Sequence, residues 1–175
     1  MSTNVTTATT TADWSTIDAH GLRLAIAQAH ISVSEGGIPI GSAILLSIDS
    51  YGSEASLTHY TVLGAGHNER LQKGSAILHG EMSALEDAGR LRAEVYRQAT
   101  LYTTLSPCSM CTGAILLYRI PRVVVAEDTT LKGGVDYLRS KGVEVIVLDN
   151  EECKTLMRTF IEQKPEEWNE DIGEV

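Results

Sequence analysis

Basic residues are scarce in this sequence: 14 Lys and Arg stand against 23 Asp and Glu, a formal net charge of -9. A surface of that average sign repels a polyanion, so nucleic acid is not the expected partner and a small neutral substrate fits better. Cysteine is scarce too. Three thiols cannot all pair within one chain, and Cys108 and Cys111 lie too close in sequence for an ordinary disulfide framework. That points to the reducing cytoplasm, with the nucleus also open to so small a protein. Long hydrophobic runs are missing: nothing reaches the roughly 18 apolar residues of a membrane span. The opening stretch MSTNVTTATTTA has neither the basic nor the apolar segment of a secretory signal, and reads as a disordered Thr/Ser-rich leader over 1–12. No repeat or linker divides 13–175, which is expected to form one domain.

What is present is ordinary for a globular chain of 175 residues: 43% hydrophobic and 21% charged, enough to bury a core and enclose a site. Asp13 can N-cap a helix over 14–35, with Ile17, Leu24, Ala27 and Ile31 at apolar positions and Gly36-Gly37 as its stop. Segments 38–48 and 60–66 read as strands joined through DSYGSEASLTH and paired as an antiparallel hairpin. A helix over 79–91, the strand ATLYTT, a helix over 108–118 and the strand RVVVAE follow. A crossover helix over 132–141 then leads to the buried-type strand VEVIVL, which makes those last two strands parallel. A helix over 151–163 is interrupted by Pro165 before EEWNEDIGEV. The pattern predicts a mixed sheet with helices on both faces.

Two segments carry chemistry. In TLSPCSMCTGAIL, Ser106 suits an N-cap, Pro107 the first helical position and Cys108 the first turn, where the helix dipole favours a thiolate. Cys111 lies one turn later on the same face, so both sulfurs can point at one ion. In ILHGEMSAL, His79 supplies a neutral imidazole from another helix start. Two thiolates and one imidazole, with a fourth position open, are the pattern of a catalytic zinc rather than a closed structural one. Glu81 is then available as a general base for a water whose pKa the metal lowers to roughly 7. His-x-Glu with a downstream Pro-Cys-x-x-Cys is the signature of zinc deaminases. A lone histidine on an apolar helix is usually a hydrogen-bonded core residue, and a lone Cys-x-x-Cys is shared by redox, metal and buried sites. The combination at two helix starts selects catalytic zinc. His20, His30, His59 and His67 have no such companions, and Cys153 reads as a small buried hydrophobe.

Through EGGIPIG, GHNERLQKGSAILHGEMSALEDAGRL, TLYTTLSPCSMCTGAI and WNEDIGE, in that order, the chain resembles the fungal cytosine deaminases of the cytidine deaminase superfamily over 14–174. The resemblance implies a three-layer α/β/α fold with a central five-stranded mixed sheet, a homodimer and one zinc per subunit. It implies a hydrolase of a cyclic amidine C–N bond that converts free cytosine to uracil and ammonia, as in pyrimidine salvage. It assigns His79, Cys108 and Cys111 as zinc ligands and Glu81 as the proton shuttle. Asn68 would hydrogen-bond the base, with the Gly80 N–H at its carbonyl oxygen. The Ser106 carbonyl and the Asp171 carboxylate would receive the leaving amine, and Trp168 would close the pocket from a C-terminal segment that covers the active site.

Two positions depart from the family. Leu131 and Asn169 stand where the fungal enzymes have phenylalanine, and LKGGVDYL is one residue shorter. Both are expected to remove aromatic wall from the pocket, at about 0.5–1.5 kcal/mol per stacking partner. Another amino-substituted heterocycle (a purine, pterin or triazine) therefore stays open as the substrate. A tRNA or single-stranded DNA deaminase would share the metal motif but needs a basic groove. A non-catalytic zinc module would want a fourth protein ligand and no adjacent glutamate.

Overall fold

The computed structural model describes residues 14–48 and 59–174. Its first element, α1 (Trp14–Ser34), buries Ile17, Gly21, Ala25 and Ala29, every fourth residue, against the sheet. The expected stripe is corrected here: Ala27 and Ile31 face solvent. Small residues on the buried line let the helix lie close, and a Cβ on Gly21 would come within 2.5 Å of the Tyr102 ring. The stop is where the glycines put it: Gly36 takes the left-handed conformation at φ 78°, and the Gly37 N–H donates to the Ser32 carbonyl at 2.8 Å. The Asp13 cap, the leader over 1–12 and residues 49–58 of the long link lie outside the described residues.

Strands β1 (Gly41–Ile48) and β2 (His59–His67) pair antiparallel, as expected of the hairpin. On its other side β1 pairs antiparallel with β3 (Ala99–Thr103), which runs parallel to β4 (Arg122–Val125), itself parallel to β5 (Glu144–Val147). The order is β2-β1-β3-β4-β5. Between β2 and β3 come α2 (Arg70–Lys73), α3 (Gly80–Ala88) and α4 (Ala93–Tyr96); the two parallel crossovers are carried by α5 (Ser109–Tyr118) and α6 (Val135–Ser140). Two helices, α7 (Glu151–Gln163) and α8 (Pro165–Ile172), complete the chain.

Both faces of the sheet are covered, so neighbouring strand residues enter different cores. Ile44, Leu101, Val123 and Val125 meet Ala84 and Leu85 of α3, Ile115 of α5 and Leu138 of α6. Ala43, Leu45, Tyr102 and Val124 meet Ile17 and Ala25 of α1 on the opposite side. These are the three layers the sequence led us to expect. A third cluster of Ile38, Ile40, Leu105, Met157, Phe160 and Trp168 seals the end of the sheet where β1 begins and β3 stops.

EEWNEDIGEV is more than a tail after an interrupted helix. Pro165 opens α8, Glu166 and Glu167 fill its first turn, and Gly173 closes it in the left-handed conformation. Trp168, Asp171 and Ile172 recur at helical spacing and face inward.

One polar knot ties α1 to the sheet. Arg122 donates two hydrogen bonds to Asp18 at 2.7 and 2.8 Å, and the Tyr102 hydroxyl donates to the same carboxylate at 2.9 Å. Burial, then Asp18, raises the pKa of the Tyr102 phenol and keeps it a donor. Replacing Arg122 with Met leaves Asp18 with a charge and no cation, and is expected to cost about 3 kcal/mol in urea unfolding with little change in m. Changing Asp18 to Asn in the same chain is expected to cost less than the single substitution.

Candidate active site

The first residues of α3 and α5 converge at the sealed end of the sheet. His79 is the N-cap of α3 (φ -66°, ψ 165°) and Cys108 the N-cap of α5 (φ -67°, ψ 178°). Neither side chain caps its helix, so both are free to point inward. His79 Nδ1 lies 3.5 Å from Cys108 Sγ, and Cys111 Sγ, one turn into α5, lies 3.7 Å from Cys108 Sγ. One donor atom from each of the three residues falls within 4.8 Å of the others. The N-cap of α5 is Cys108, two residues later than the Ser106 the sequence suggests. Ser106 is not the cap because its hydroxyl donates to the Lys132 carbonyl at 2.9 Å, while the Pro107 carbonyl accepts from the Gly134 N–H at 2.8 Å.

This donor set fits one zinc ion: two sulfurs and an imidazole nitrogen, joined by no other His, Cys or carboxylate donor among the described residues. The Sγ–Sγ hydrogen bond, opposed by burial and helped by His79, holds the Cys108 thiol down at about 4. The same bond and burial drive Cys111 well up. For His79, burial pulls the pKa down, but Cys108 and Asp171 outweigh it and raise it.

Glu81 lies in the first turn of α3, 3% exposed, and accepts a hydrogen bond from the Thr103 hydroxyl at 3.2 Å. Burial raises its carboxyl pKa, which suits a group that must hold a proton and release it. Gly80 is buried at the head of the helix, where a Cβ would come within 3.1 Å of the Ile40 carbonyl oxygen. Glu81, His79, Cys108 and Ser106 face a small pocket floored by Ile40 and Leu105. Leu131 forms one wall, and Trp168, Asp171 and Ile172 of α8 form the roof.

Asn68 is fully buried beside this pocket rather than in its wall. Its Nδ2 donates to Asp171 Oδ1 at 2.9 Å, and its Oδ1 accepts from the Arg70 main-chain N–H at 3.1 Å. Arg70 also places Nη1 3.1 Å from Asp171 Oδ1. The loop that carries Leu131 is held by Glu127, whose carboxylate accepts from the Thr129 and Thr130 N–H groups at 2.7 and 2.9 Å. Gly133 in that loop has φ 54° and packs onto Ser106, where a Cβ would come within 2.3 Å of the hydroxyl. The expectation for Asn169 is corrected: it is exposed on the outer face of α8 and removes nothing from the pocket wall.

Sequence reading missed Ile40, Thr103, Leu105 and Ile172, which carry no signal beyond an apolar or strand pattern. It also missed Arg70, whose signal was a cation two residues after Asn68 in an acidic chain. The remaining histidines are structural where described. His67 is held between Gln28 and Glu35 at 2.9 Å each, His30 meets Glu152, and His20 meets Arg23. Cys153 is buried, its thiol pushed up to about 12 by desolvation first.

The cytidine and deoxycytidylate deaminase zinc-binding region matches residues 15–127. The chain is 58% identical over 157 residues to a cytosine deaminase of Candida albicans, covering 90% of this chain and 97% of that one. It is 35% identical over 116 residues to a tRNA-specific adenosine deaminase of Streptococcus pyogenes, covering 65% of this chain and 60% of that one. A solved guanine deaminase from Nitrosomonas europaea shares the fold at a TM-score of 0.56 and 20% identity, over 82% of this chain and 81% of that one. Fold and donor set together define a zinc-binding deaminase domain. The chain belongs to the cytidine and deoxycytidylate deaminase family.

Proposed function

We propose that the protein hydrolyses free cytosine to uracil and ammonia, as in pyrimidine salvage, using one domain whose C-terminal segment covers the active site. The observation that carries this reading is that His79 and Cys108, clustered with the Cys111 sulfur, and the buried acid Glu81 face one small pocket. Similarity to the Candida cytosine deaminase over nearly the whole chain supports cytosine as the base. His79, Cys108 and Cys111 hold one zinc ion per subunit, which when bound lowers the pKa of a coordinated water to about 7.

Glu81 takes a proton from the attacking water and delivers it to ring nitrogen N3 as oxygen bonds to C4. The C4–N4 bond then breaks, and the nitrogen leaves as ammonia with a second proton. Asp171 and the Ser106 main-chain carbonyl accept from the departing amine. The Gly80 N–H donates to the base carbonyl, and Asn68 serves the base through the Asp171 carboxylate to which its Nδ2 donates. Trp168 supplies a flat apolar roof, and Leu131 closes the side of the pocket.

Ammonia release from a panel of amino-substituted heterocycles, with zinc-loaded protein, tests the assignment. Cytosine is expected to turn over. Cytosine inert beside a reactive purine, pterin or triazine would replace it as the substrate. Leu131 in the pocket wall is the observation that favours this second reading. Leu131→Phe is expected to lower KM for cytosine by about 2- to 13-fold, the worth of one stacked ring. A tRNA or single-stranded DNA substrate is disfavoured by the net charge of -9.

A homodimer is proposed on the α3/α5 side. A groove of about 400 Å³ there is lined by Met82, Leu85, Leu91, Tyr96 and Tyr118, and Ile77 and Leu117 stand 54% and 75% exposed. A second copy would cover this apolar surface. Three free thiols support a reducing compartment, the cytoplasm, and no described helix is long and apolar enough to cross a membrane.

A further inference from the structure

Resting on the reading of Asp171 as a substrate-binding carboxylate, we infer that Arg70 is a positioning residue for it. Arg70 anchors one oxygen of the carboxylate so that the other is presented to the amine that leaves, and it ties α8 across the pocket.

Three groups converge on the same oxygen. Asn68 Nδ2 lies 2.9 Å from Asp171 Oδ1, Arg70 Nη1 3.1 Å and His79 Nε2 3.6 Å. Oδ2 receives no hydrogen bond from the described residues, and Asp171 forms part of the pocket roof. Donors crowded on one oxygen fix the rotation of the carboxylate about its last torsion and leave the opposite oxygen for a ligand.

The Asp171 side chain is 2% exposed and needs a countercharge. Arg70, 16% exposed, is the one Arg or Lys paired with it among the described residues. Asn68 is neutral and His79 belongs to the metal group, so the duty falls on Arg70. The same residue sets the other half of the pair: its main-chain N–H donates to Asn68 Oδ1, which turns Asn68 Nδ2 toward Asp171. Arg70 Nε is buried without a partner, so the guanidinium is held at this spot at a cost.

The tie also crosses elements. Arg70 belongs to α2 and Asp171 to α8, which roofs the pocket. Asn68 adds a neutral tie to the same carboxylate, and at the start of α8 Lys164 Nζ donates to the Gly36 carbonyl at 2.8 Å. Glu170, 74% exposed and 4.0 Å from Arg70, adds little in water.

A double-mutant cycle on the zinc-loaded full chain tests this, with KM and kcat for cytosine, zinc content and Tm read for each variant. Arg70→Gln is expected to raise KM by about tenfold or more, with zinc content unchanged. The change in kcat is expected to stay under about threefold. Arg70→Lys should recover most of that loss by restoring the charge, and Glu170→Gln should match wild type. In an Asp171→Asn background, Arg70→Gln should add little, since it acts through a carboxylate no longer there. A wild-type KM in Arg70→Gln, or the same fold-increase in both backgrounds, overturns the inference. A wild-type KM in Asp171→Asn alone would instead remove the underlying reading of Asp171, and the inference with it.

Discussion

Glutamine in place of Glu81 is expected to lower kcat on cytosine by about 10²- to 10⁴-fold, the range a positioned general acid–base contributes. Zinc content and Tm should stay near those of wild type. The substitution keeps the shape and the oxygen that accepts from Thr103, so it removes proton transfer without opening a cavity or leaving a donor unpaired. It also removes an acid from a site where burial already disfavours the charged form. The other carboxylate in the pocket is Asp171, whose Oδ1 is engaged by Asn68 and Arg70. Single-turnover measurements with cytosine place the loss on the chemical step rather than on release. A variant that retains zinc, fold and full kcat would take Glu81 out of the reaction.

The residues that carry this chemistry were legible because their signals are local. His79 and Glu81 fall in one turn, Cys108 and Cys111 in another, and each pair marks a helix start that periodicity also shows. The strands were legible for the same reason, since β-branched and apolar runs between turn residues need no partner to be recognised. What escaped was set by tertiary contact. The buried line of α1 follows the small residues that allow close approach to Tyr102, whereas apolar spacing alone pointed to Ala27 and Ile31. The start of α5 moved because Ser106 found a better acceptor at Lys132 than its own helix offered. The helical form of α8 was not read either: its acidic residues lie on the outside, and its inner face is Trp168, Asp171 and Ile172. That also explains Asn169, next in sequence to Trp168 and turned about 100° away from it around the helix. Arg70 was invisible for a further reason: its role depends on a residue 101 positions later.

Metal removal is expected to abolish turnover and to lower Tm by about 8–16 °C. A ligand present at about a thousand times its Kd stabilises by about 4 kcal/mol, and in a chain of this size each kcal/mol is worth about 2–4 °C. The structural reason for so large a shift is that the three donors come from the first turns of two helices separated by β3. One ion across them cross-links α3 to α5 at the end of the sheet, where the pocket is built. Cys111→Ser should reproduce the metal-free protein even with zinc in excess. Its sulfur is fully buried, and a hydroxyl there is a poorer donor for zinc at neutral pH. Cys153→Ala, away from the group, should keep its zinc. Calorimetry beside metal analysis reads both effects. Returning zinc to the stripped wild type should restore Tm and ammonia release together, and should restore neither in Cys111→Ser. Turnover that survived complete chelation would show that the water is activated without the ion, leaving the convergence of His79, Cys108 and Cys111 a feature of the fold and not of the reaction.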